Sequence, residues 1–549
     1  MKIGLQNFQG ITTYQEIQLK PITLIYGRNS SGKSTIFDAI TVAKSIHKDH
    51  AAALPLKWMS QIDERVPAIK NGLDTIVKVS DLVGDINRFD GWVSEAGILS
   101  EMEGDTVLAR LMRIFESMHR MYSCEFRWSQ VGGEVELQSY KVEFDGMQIL
   151  QWEKRREVNL VKALHRCFHD SRYDRENFTN GILSPGFSRE VKKPMGLLRI
   201  NIAHDLVRLL LDDFFGLDTG YPWQVVDDQV HLECNIDGFS GSLDHVISGE
   251  HDFDFVANNP LCVLVGFLIC GVTSTLHDYL DVMDVPPVRS LSQGTELDGK
   301  VKFLNYLAEC HEKSILSDTE EDRMIFGDYL DSINKWLTDR EYLGCDFEIS
   351  PRTSFSLTLS ELERYSGLPE AARVDFLREA APVRTEIKLR DVLRKAEVEL
   401  EDVGTGISQV IPVLIGARCR KAYIQQPELH LHPAMQSPLA DIFIESINSE
   451  PELAMLFAPW GVNYTFLAIE THSELLALRI LRRIRETKAG KLPRPNLSLS
   501  PDSVSVIYVA RKSTGEMTIT NLRISDQGDF LDRWPDGFFA ERDAELFYD

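Results

Sequence analysis

The stretch PITLIYGRNSSGKSTIFDAI, Pro21 to Ile40, constrains this chain's fold more than any other. An apolar, β-rich run from Ile22 to Tyr26 turns through Gly27 to Gly32 and passes into helix-compatible residues from Lys33 onward. Strand, glycine loop and helix in that order make a phosphate-binding loop. Gly27 and Gly32 let backbone N–H groups turn inward toward phosphate oxygens, Lys33 reaches the β and γ phosphates, and the Ser34 hydroxyl is the expected Mg²⁺ ligand. Asn29, Ser30, Ser31 and Thr35 complete the nucleotide-binding set, and the helix dipole adds favourable charge at the same point. An ordinary glycine-rich turn is the plainer alternative. The lysine and hydroxyl at fixed spacing, between a strand and a helix, argue against it and for ATP or GTP binding.

The 549 residues, 43% hydrophobic and 26% charged, suffice for a large core and two or three structural units. The longest apolar run, Pro260 to Val272, is shorter than the roughly 20 residues that span a bilayer, so no membrane is expected. The N-terminus has no basic region followed by an apolar core, which predicts a cytoplasmic chain. Eight cysteines without a C-x-x-C pair fit reduced thiols. A net charge of −24 opposes general wrapping of nucleic acid. The basic clusters EKRRE (Glu153 to Glu157) and Arg479 to Arg494 read as solvated helix faces before phosphate contacts.

Two short strands, Lys2 to Leu5 and Glu16 to Leu19, precede the loop, and three further segments lie near the other end. DVGTGISQVIPVL (Asp402 to Leu414) sets Gly404, Gly406 and Ser408 before an apolar helical run, the chemistry of a signature loop: close backbone approach and a hydroxyl able to donate to a γ phosphate. KAYIQQPELHLHP is an apolar strand ending in two amides, Gln425 and Gln426, with Glu428 just beyond. YTFLAIETHSELLALRILRRI is a strand, then Glu470, Thr471 and His472, then an amphipathic helix. His472 at a strand end can hydrogen-bond a γ phosphate as a switch, although a lone histidine there is more often structural. His430 and His432 alternate like a metal pair but lack further ligands at metal-site spacing, and HRCFHD (His165 to Asp170) reads as a helix surface.

The phosphate loop, VGTGISQVIPVL, QPELHLHP, IETHSELLALRILRRI and WPDGFF (Trp534 to Phe539) together resemble bacterial ATPases with an ABC-type head. These are related to OLD-type and Rad50/SMC-like proteins and include the ATPase subunits of Septu and retron antiphage systems. The motifs cover the first fifty residues and roughly the last 160, with a looser match at Val285 to Arg289. The resemblance implies a homo-oligomer, a head-to-tail dimer or larger, in which Gly406 and Ser408 of one copy close over ATP on the other. It implies Mg²⁺, an HNH-type nuclease partner and, in a retron setting, a reverse transcriptase with msDNA. An ATP-driven DNA-maintenance enzyme of the Rad50/RecF-like class, and a scaffold holding a structural nucleotide, are the competing readings.

Relatives carry Glu-Glu or Glu-Gln where this chain has Gln425 and Gln426. The first acid holds Mg²⁺ and the second polarises the attacking water. An amide offers hard Mg²⁺ a weaker electrostatic partner and cannot accept a proton, although Gln426 can still orient a water. Retained binding with slow hydrolysis follows, with Glu428, Glu470 and His472 as further catalytic candidates and Gln425 with Ser34 as the metal side.

The fold class expected is an α/β, ABC-type P-loop ATPase head with a large globular mixed insertion and no long coiled coil. The parts are an N-terminal head segment (1–50), the insertion (51–385), the C-terminal head segment with signature loop, second strand and histidine switch (386–500), and a terminal hairpin turned at Ser513 to Gly515 with its cap (501–549). Repeats, low-complexity linkers and a nuclease constellation are not evident in the sequence.

Overall fold

The computed structural model describes residues 1–48, 74–83, 121–131, 134–144, 147–153, 197–203, 224–226, 229–235, 282–287, 302–317, 320–380, 383–399, 402–419, 421–449, 465–537 and 539. The apolar run from Pro260, the segment from His165 to Asp170, and the basic cluster after Glu153 lie outside them. The chain opens with β1 (Lys2–Gln6), β2 (Gln15–Gln18), β3 (Ile22–Tyr26) and α1 (Thr35–Lys48). Then come β4 (Thr75–Val83), β5 (Met121–Val131), β6 (Glu134–Phe144), β7 (Met147–Glu153), β8 (Leu197–Ala203), β9 (Gln224–Val226) and β10 (Gln229–Asn235).

The second half begins with β11 (Met283–Val285), α2 (Lys302–Leu316), α3 (Glu320–Thr338) and β12 (Phe347–Phe355). It continues through α4 (Leu359–Gly367), α5 (Glu370–Ala380), β13 (Val383–Asp391), β14 (Ala396–Val398) and α6 (Thr405–Arg418). The last elements are β15 (Lys421–Gln425), α7 (Pro433–Asn448), β16 (Phe466–Glu470), α8 (Glu474–Ala489), β17 (Val504–Arg511) and β18 (Met517–Leu522). Among the described residues the longest helix is α3, with 19 residues.

Two compact units interleave along the chain. The first comprises Met1–Gln18, Asn29–Asp281 and Val509–Ile519; the second comprises Leu19–Arg28, Val282–Tyr508 and Thr520–Asp549. The first unit holds a nine-stranded sheet in the order β2-β1-β4-β5-β6-β7-β8-β10-β9. Its registered pairs are antiparallel, so the expected N-terminal strand pair does form, Lys2 opposite Gln18, and strands of the insertion extend it. Val77, Val79, Cys124, Phe126 and Trp128 line its buried face, alternating with less buried residues as a half-covered sheet requires.

The second unit is built on parallel strands. The six-stranded order is β11-β15-β16-β3-β17-β18, with β11 to β17 pairing in parallel. All five residues of β3 and all five of β16 are buried, which explains their nearly unbroken apolar sequences: a parallel strand with both faces covered has no polar alternation to show. Helix α6 buries every residue from Val410 to Ala417. It approaches β11 so closely that a Cβ at Gly416 would meet Val285 Cγ2 at 2.5 Å. A smaller sheet, β12-β13-β14, completes this unit. β17 turns back into β18 through the expected turn, with the Lys512 amide donating to the Glu516 carbonyl at 2.8 Å and that of Gly515 to the Lys512 carbonyl at 2.9 Å.

The described residues form the mixed α/β arrangement expected: the glycine loop leaves an inner strand of a parallel sheet, and the N-terminal strand pair belongs to a separate antiparallel sheet.

Candidate nucleotide site

The predicted site residues fall into both units, and each group has its own geometry. Gly27 and Arg28 belong with β3 in the second unit, and Asn29 to Thr35 belong with α1 in the first. In the latter group Ser30 has φ 61° and Gly32 φ 91°, backbone that turns the loop sharply before the helix. Glycine is required at 32 for a second reason, because a Cβ there would lie 2.3 Å from Met517 Cε and 2.5 Å from its sulfur. The Thr35 amide donates to the Gly32 carbonyl at 3.0 Å and that of Asp38 to the Ser34 carbonyl at 2.9 Å, which starts α1. Asn29, Ser30 and Ser34 are exposed, while Ser31, Lys33 and Thr35 are buried. Thr35 Oγ1 donates to Gln9 Oε1, and Gln9 Nε2 donates to Asp38 Oδ2 at 2.7 Å, so the first turn of α1 is tied to the loop after β1. Sequence reasoning missed Gln9 and Met517, because neither residue type marks a phosphate loop and both arrive from distant sequence.

In the second unit the ends of β15 and β16 bring most of the remaining candidates together. Gln425 pairs in register with Glu470, and the Gln426 amide donates to the Glu470 carbonyl at 2.7 Å. The Glu470 carboxylate is 7% exposed, and the buried Tyr423 hydroxyl donates to its Oε2 at 2.7 Å. Glu428 acts as a brace. Its Oε2 accepts from Thr471 Oγ1 at 2.8 Å and its Oε1 accepts from the His472 backbone amide at 2.8 Å, which fixes the segment carrying the histidine. Thr471 also donates its amide to the Ile25 carbonyl at 3.1 Å, tying that segment to the end of β3. Tyr26, the last residue of β3, donates its hydroxyl to the Ser473 carbonyl at 2.9 Å, and burial pushes its phenol well above the ordinary range. The edges of Trp534 and Phe539 meet the Tyr26 ring at 5.1 and 5.6 Å, so these two side chains pack beside the strand that enters the loop.

The turn after β15 uses non-glycine residues in left-handed backbone, Gln426 at φ 45° and His430 at φ 65°. His432 caps α7, its Nδ1 accepting from the Ala434 amide at 3.2 Å, with Pro433 at the first helical position. Gly406 sits in the first turn of α6, where a Cβ would be 3.1 Å from the His430 carbonyl. Ser408 Oγ donates to the Thr405 carbonyl at 3.0 Å. Of the basic cluster from Arg479, Arg483 is buried and bidentate to buried Asp441 at 2.7 Å on both oxygens, with Arg479 on the same carboxylate at 3.1 Å. That carboxylate locks α7 to α8.

One residue at this edge escaped the sequence reading. Asp284 in β11 pairs with Tyr423, and its Oδ1 accepts from Gln425 Nε2 at 3.2 Å. A single acid in the middle of a three-residue strand carries no sequence signal.

Comparison with known proteins gives limited placement. Residues 2–45 match the family model described as AAA domain. No curated protein matches the chain. Among solved structures, an Smc head bound to the C-winged helix domain of ScpA is similar at TM-score 0.37 and 10% identity, covering 95% of this chain and 97% of that one. An Smc head with an extended coiled coil, bound to the C-terminal domain of ScpA derived from Pyrococcus furiosus, gives 0.34 and 12%, covering 95% and 96%. The SMC head domain from Thermotoga maritima gives 0.32 and 9%, covering 95% and 98%. Values this low assign no residue role to the present chain. Among the described residues, no helix is long and apolar enough to cross a membrane.

Proposed function

We propose that this chain is an ATP-binding, ABC-type ATPase subunit in which bound nucleotide holds a conformation and hydrolysis is slow. The observation that carries the reading is the loop itself: Gly32 in left-handed backbone after a buried parallel strand, then Lys33 and Ser34 in the turn that leads into a helix opening at Thr35. Backbone donors, a lysine and a helix N-terminus at one turn recognise a polyphosphate.

The donor types on each unit are ones Mg²⁺ takes: in the first, Ser34 carries an exposed hydroxyl, and in the second, the strand ends carry the oxygens of Gln425, Asp284 and Glu470. Among the described residues no group of three or more His, Cys, Asp or Glu could hold a metal. When bound, Mg²⁺ would neutralise phosphate charge. The residues themselves do the rest. Gln426 can orient a water but cannot take its proton. Glu470, held by the Tyr423 hydroxyl, is the carboxylate beside the amides, and Glu428 fixes the backbone of His472. With an amide in the base position, turnover is slow and the nucleotide-held state is long-lived.

In this reading two copies act head to tail, Gly406 and Ser408 of one serving the nucleotide of the other, and the cytoplasmic assembly controls a separate HNH-type nuclease in antiphage defence, with a reverse transcriptase and msDNA where the system is a retron. Sequence resemblance supports that part. The test is ATP retention and turnover by purified protein, beside Lys33→Ala and Gln425→Glu variants and with DNA added. Retained ATP with slow turnover, insensitive to DNA, is the expected result. Brisk turnover stimulated by DNA would replace this reading with an ATP-driven DNA-maintenance enzyme, and failure to bind nucleotide would overturn both.

A further inference from the structure

Resting on the nucleotide reading above, we infer that Gln9 is a positioning residue for polyphosphate, acting through Thr35 on the turn that carries Lys33 and Ser34. Every residue concerned belongs to the first unit. Phe8 and Ile11 each donate an amide to the other's carbonyl at 3.0 Å, closing a two-residue turn over Gln9 and Gly10. The left-handed backbone in that turn falls on Gln9, at φ 50°, and not on the neighbouring glycine. Gly10 answers a different need, since a Cβ there would lie 2.6 Å from Met517 Cγ and Sδ. A glutamine kept where backbone ease favours glycine marks a side chain that matters.

That side chain bridges two residues of the helix start, and chemistry fixes its orientation. An ionised aspartate only accepts, so Nε2 turns to Asp38 Oδ2, at 2.7 Å, and Oε1 faces the Thr35 hydroxyl. Thr35 is buried, its hydroxyl has a single proton to donate, and Gln9 supplies the strong acceptor; the Met517 sulfur, at 4.0 Å, is a weak second one. Thr35 in turn closes the segment of interest, because its amide donates to the Gly32 carbonyl at 3.0 Å around Lys33 and Ser34. At the other end Gly32 lies against Met517, whose amide donates to the Gly10 carbonyl at 2.7 Å. The loop after β1 therefore grips the Gly32 to Thr35 turn at both ends, through Gln9 and through Met517. In the nucleotide reading Lys33 and Ser34 serve phosphate and metal, and a turn held in place before the ligand arrives has less freedom to lose on binding.

The test titrates a fluorescent ATP analogue into purified wild type, Gln9→Gly, Gln9→Glu, Asp38→Asn, and Gln9→Glu combined with Asp38→Asn. Titrations run below the unfolding onset of the least stable variant, where a residue that only stabilises the fold leaves affinity unchanged. Gln9→Gly removes the bridge and should weaken binding about 10-fold, the scale of one lost hydrogen bond to a charged group. Gln9→Glu sets two carboxylates in contact and should lose at least as much. Adding Asp38→Asn rebuilds both bonds with donor and acceptor exchanged, since the new carboxylate accepts from Thr35 and from the new amide. Affinity should then return to that of Asp38→Asn alone. Unchanged affinity in Gln9→Gly overturns the inference while leaving the nucleotide reading standing. A loss in Gln9→Glu that Asp38→Asn does not reverse also overturns it, since the bridge would not be what Gln9 contributes. No analogue binding by wild type overturns the nucleotide reading, and the inference with it.

Discussion

The two strand-to-helix turns that carry candidate residues both use left-handed backbone, one with a glycine among its residues and one without. After β3 the chain turns through Ser30 at φ 61° and Gly32 at φ 91° and sets Lys33 and Ser34 just before α1, which opens at Thr35. After β15 it turns with Gln426 at φ 45° and His430 at φ 65°, positions where glycine would be the cheaper choice. The second turn spends its backbone donors internally: Gln426 to the Glu470 carbonyl, Leu429 to the Gln426 carbonyl and Leu431 to the Glu428 carbonyl. It adds the Glu428 brace and the His432 cap. Strain held by surrounding structure marks a place where side-chain position matters more than backbone ease. In the proposed function the first turn is a cradle whose backbone would serve a ligand, and the second a frame that sets side chains.

Substitutions can break that contrast, and the largest effect should come from the frame. Asp441 ties α7, which begins directly after the second turn, to α8, which begins directly after His472. Asp441→Ala leaves the buried Arg483 guanidinium without its bidentate partner, a loss of about 3–5 kcal/mol. Chemical denaturation should show it as a large fall in midpoint; a near-normal midpoint would mean that the frame is not under tension. The cradle should respond in the opposite way. Lys33→Ala removes a charge-assisted phosphate contact and should weaken nucleotide binding about 10- to 100-fold by titration, with the denaturation midpoint little moved. A strongly destabilised Lys33→Ala protein would erase the distinction between the turns.

How much of this was legible in sequence follows the same division. The strand, loop and helix of the cradle were legible, because Gly27 to Thr35 carry spacing, charge and hydroxyls in consecutive residues, but Gln9 and Met517, which pack against it, were not. The paired β1 and β2, the strand leading to Glu470, and the hairpin turned at Ser513 to Gly515 were legible for the same local reason. The frame was legible only in its residue names. That Glu428 grips the Thr471 and His472 segment depends on sheet neighbours 43 and 44 positions away. Asp284 reaches Gln425 across 141 positions, and Gln15 reaches the Met517 carbonyl across 502. Parallel pairing unites distant segments without a turn to announce it. The basic look of the Arg479 to Arg494 stretch was ambiguous for a related reason: sequence shows the charge of Arg483 but not the buried carboxylate that takes it up.

Two smaller effects sharpen the comparison inside the frame. Glu428→Gln keeps one acceptor and loses the other, so either Thr471 Oγ1 or the His472 amide gives up its bond to a charged oxygen. A cost of about 1–3 kcal/mol is expected in denaturation, with nucleotide affinity in EDTA preserved. Gln426→Gly is the finest probe. Glycine removes a left-handed backbone penalty of about 1–2 kcal/mol, but its extra unfolded-state freedom costs about 0.5–1 kcal/mol, so stability should stay level or rise by about 1 kcal/mol. Single-turnover hydrolysis should nevertheless slow if, as proposed, the Gln426 side chain orients the attacking water. A protein that is more stable and less active would show that the strained amide at 426 is kept for its side chain, whereas unchanged turnover would assign the turn to architecture alone.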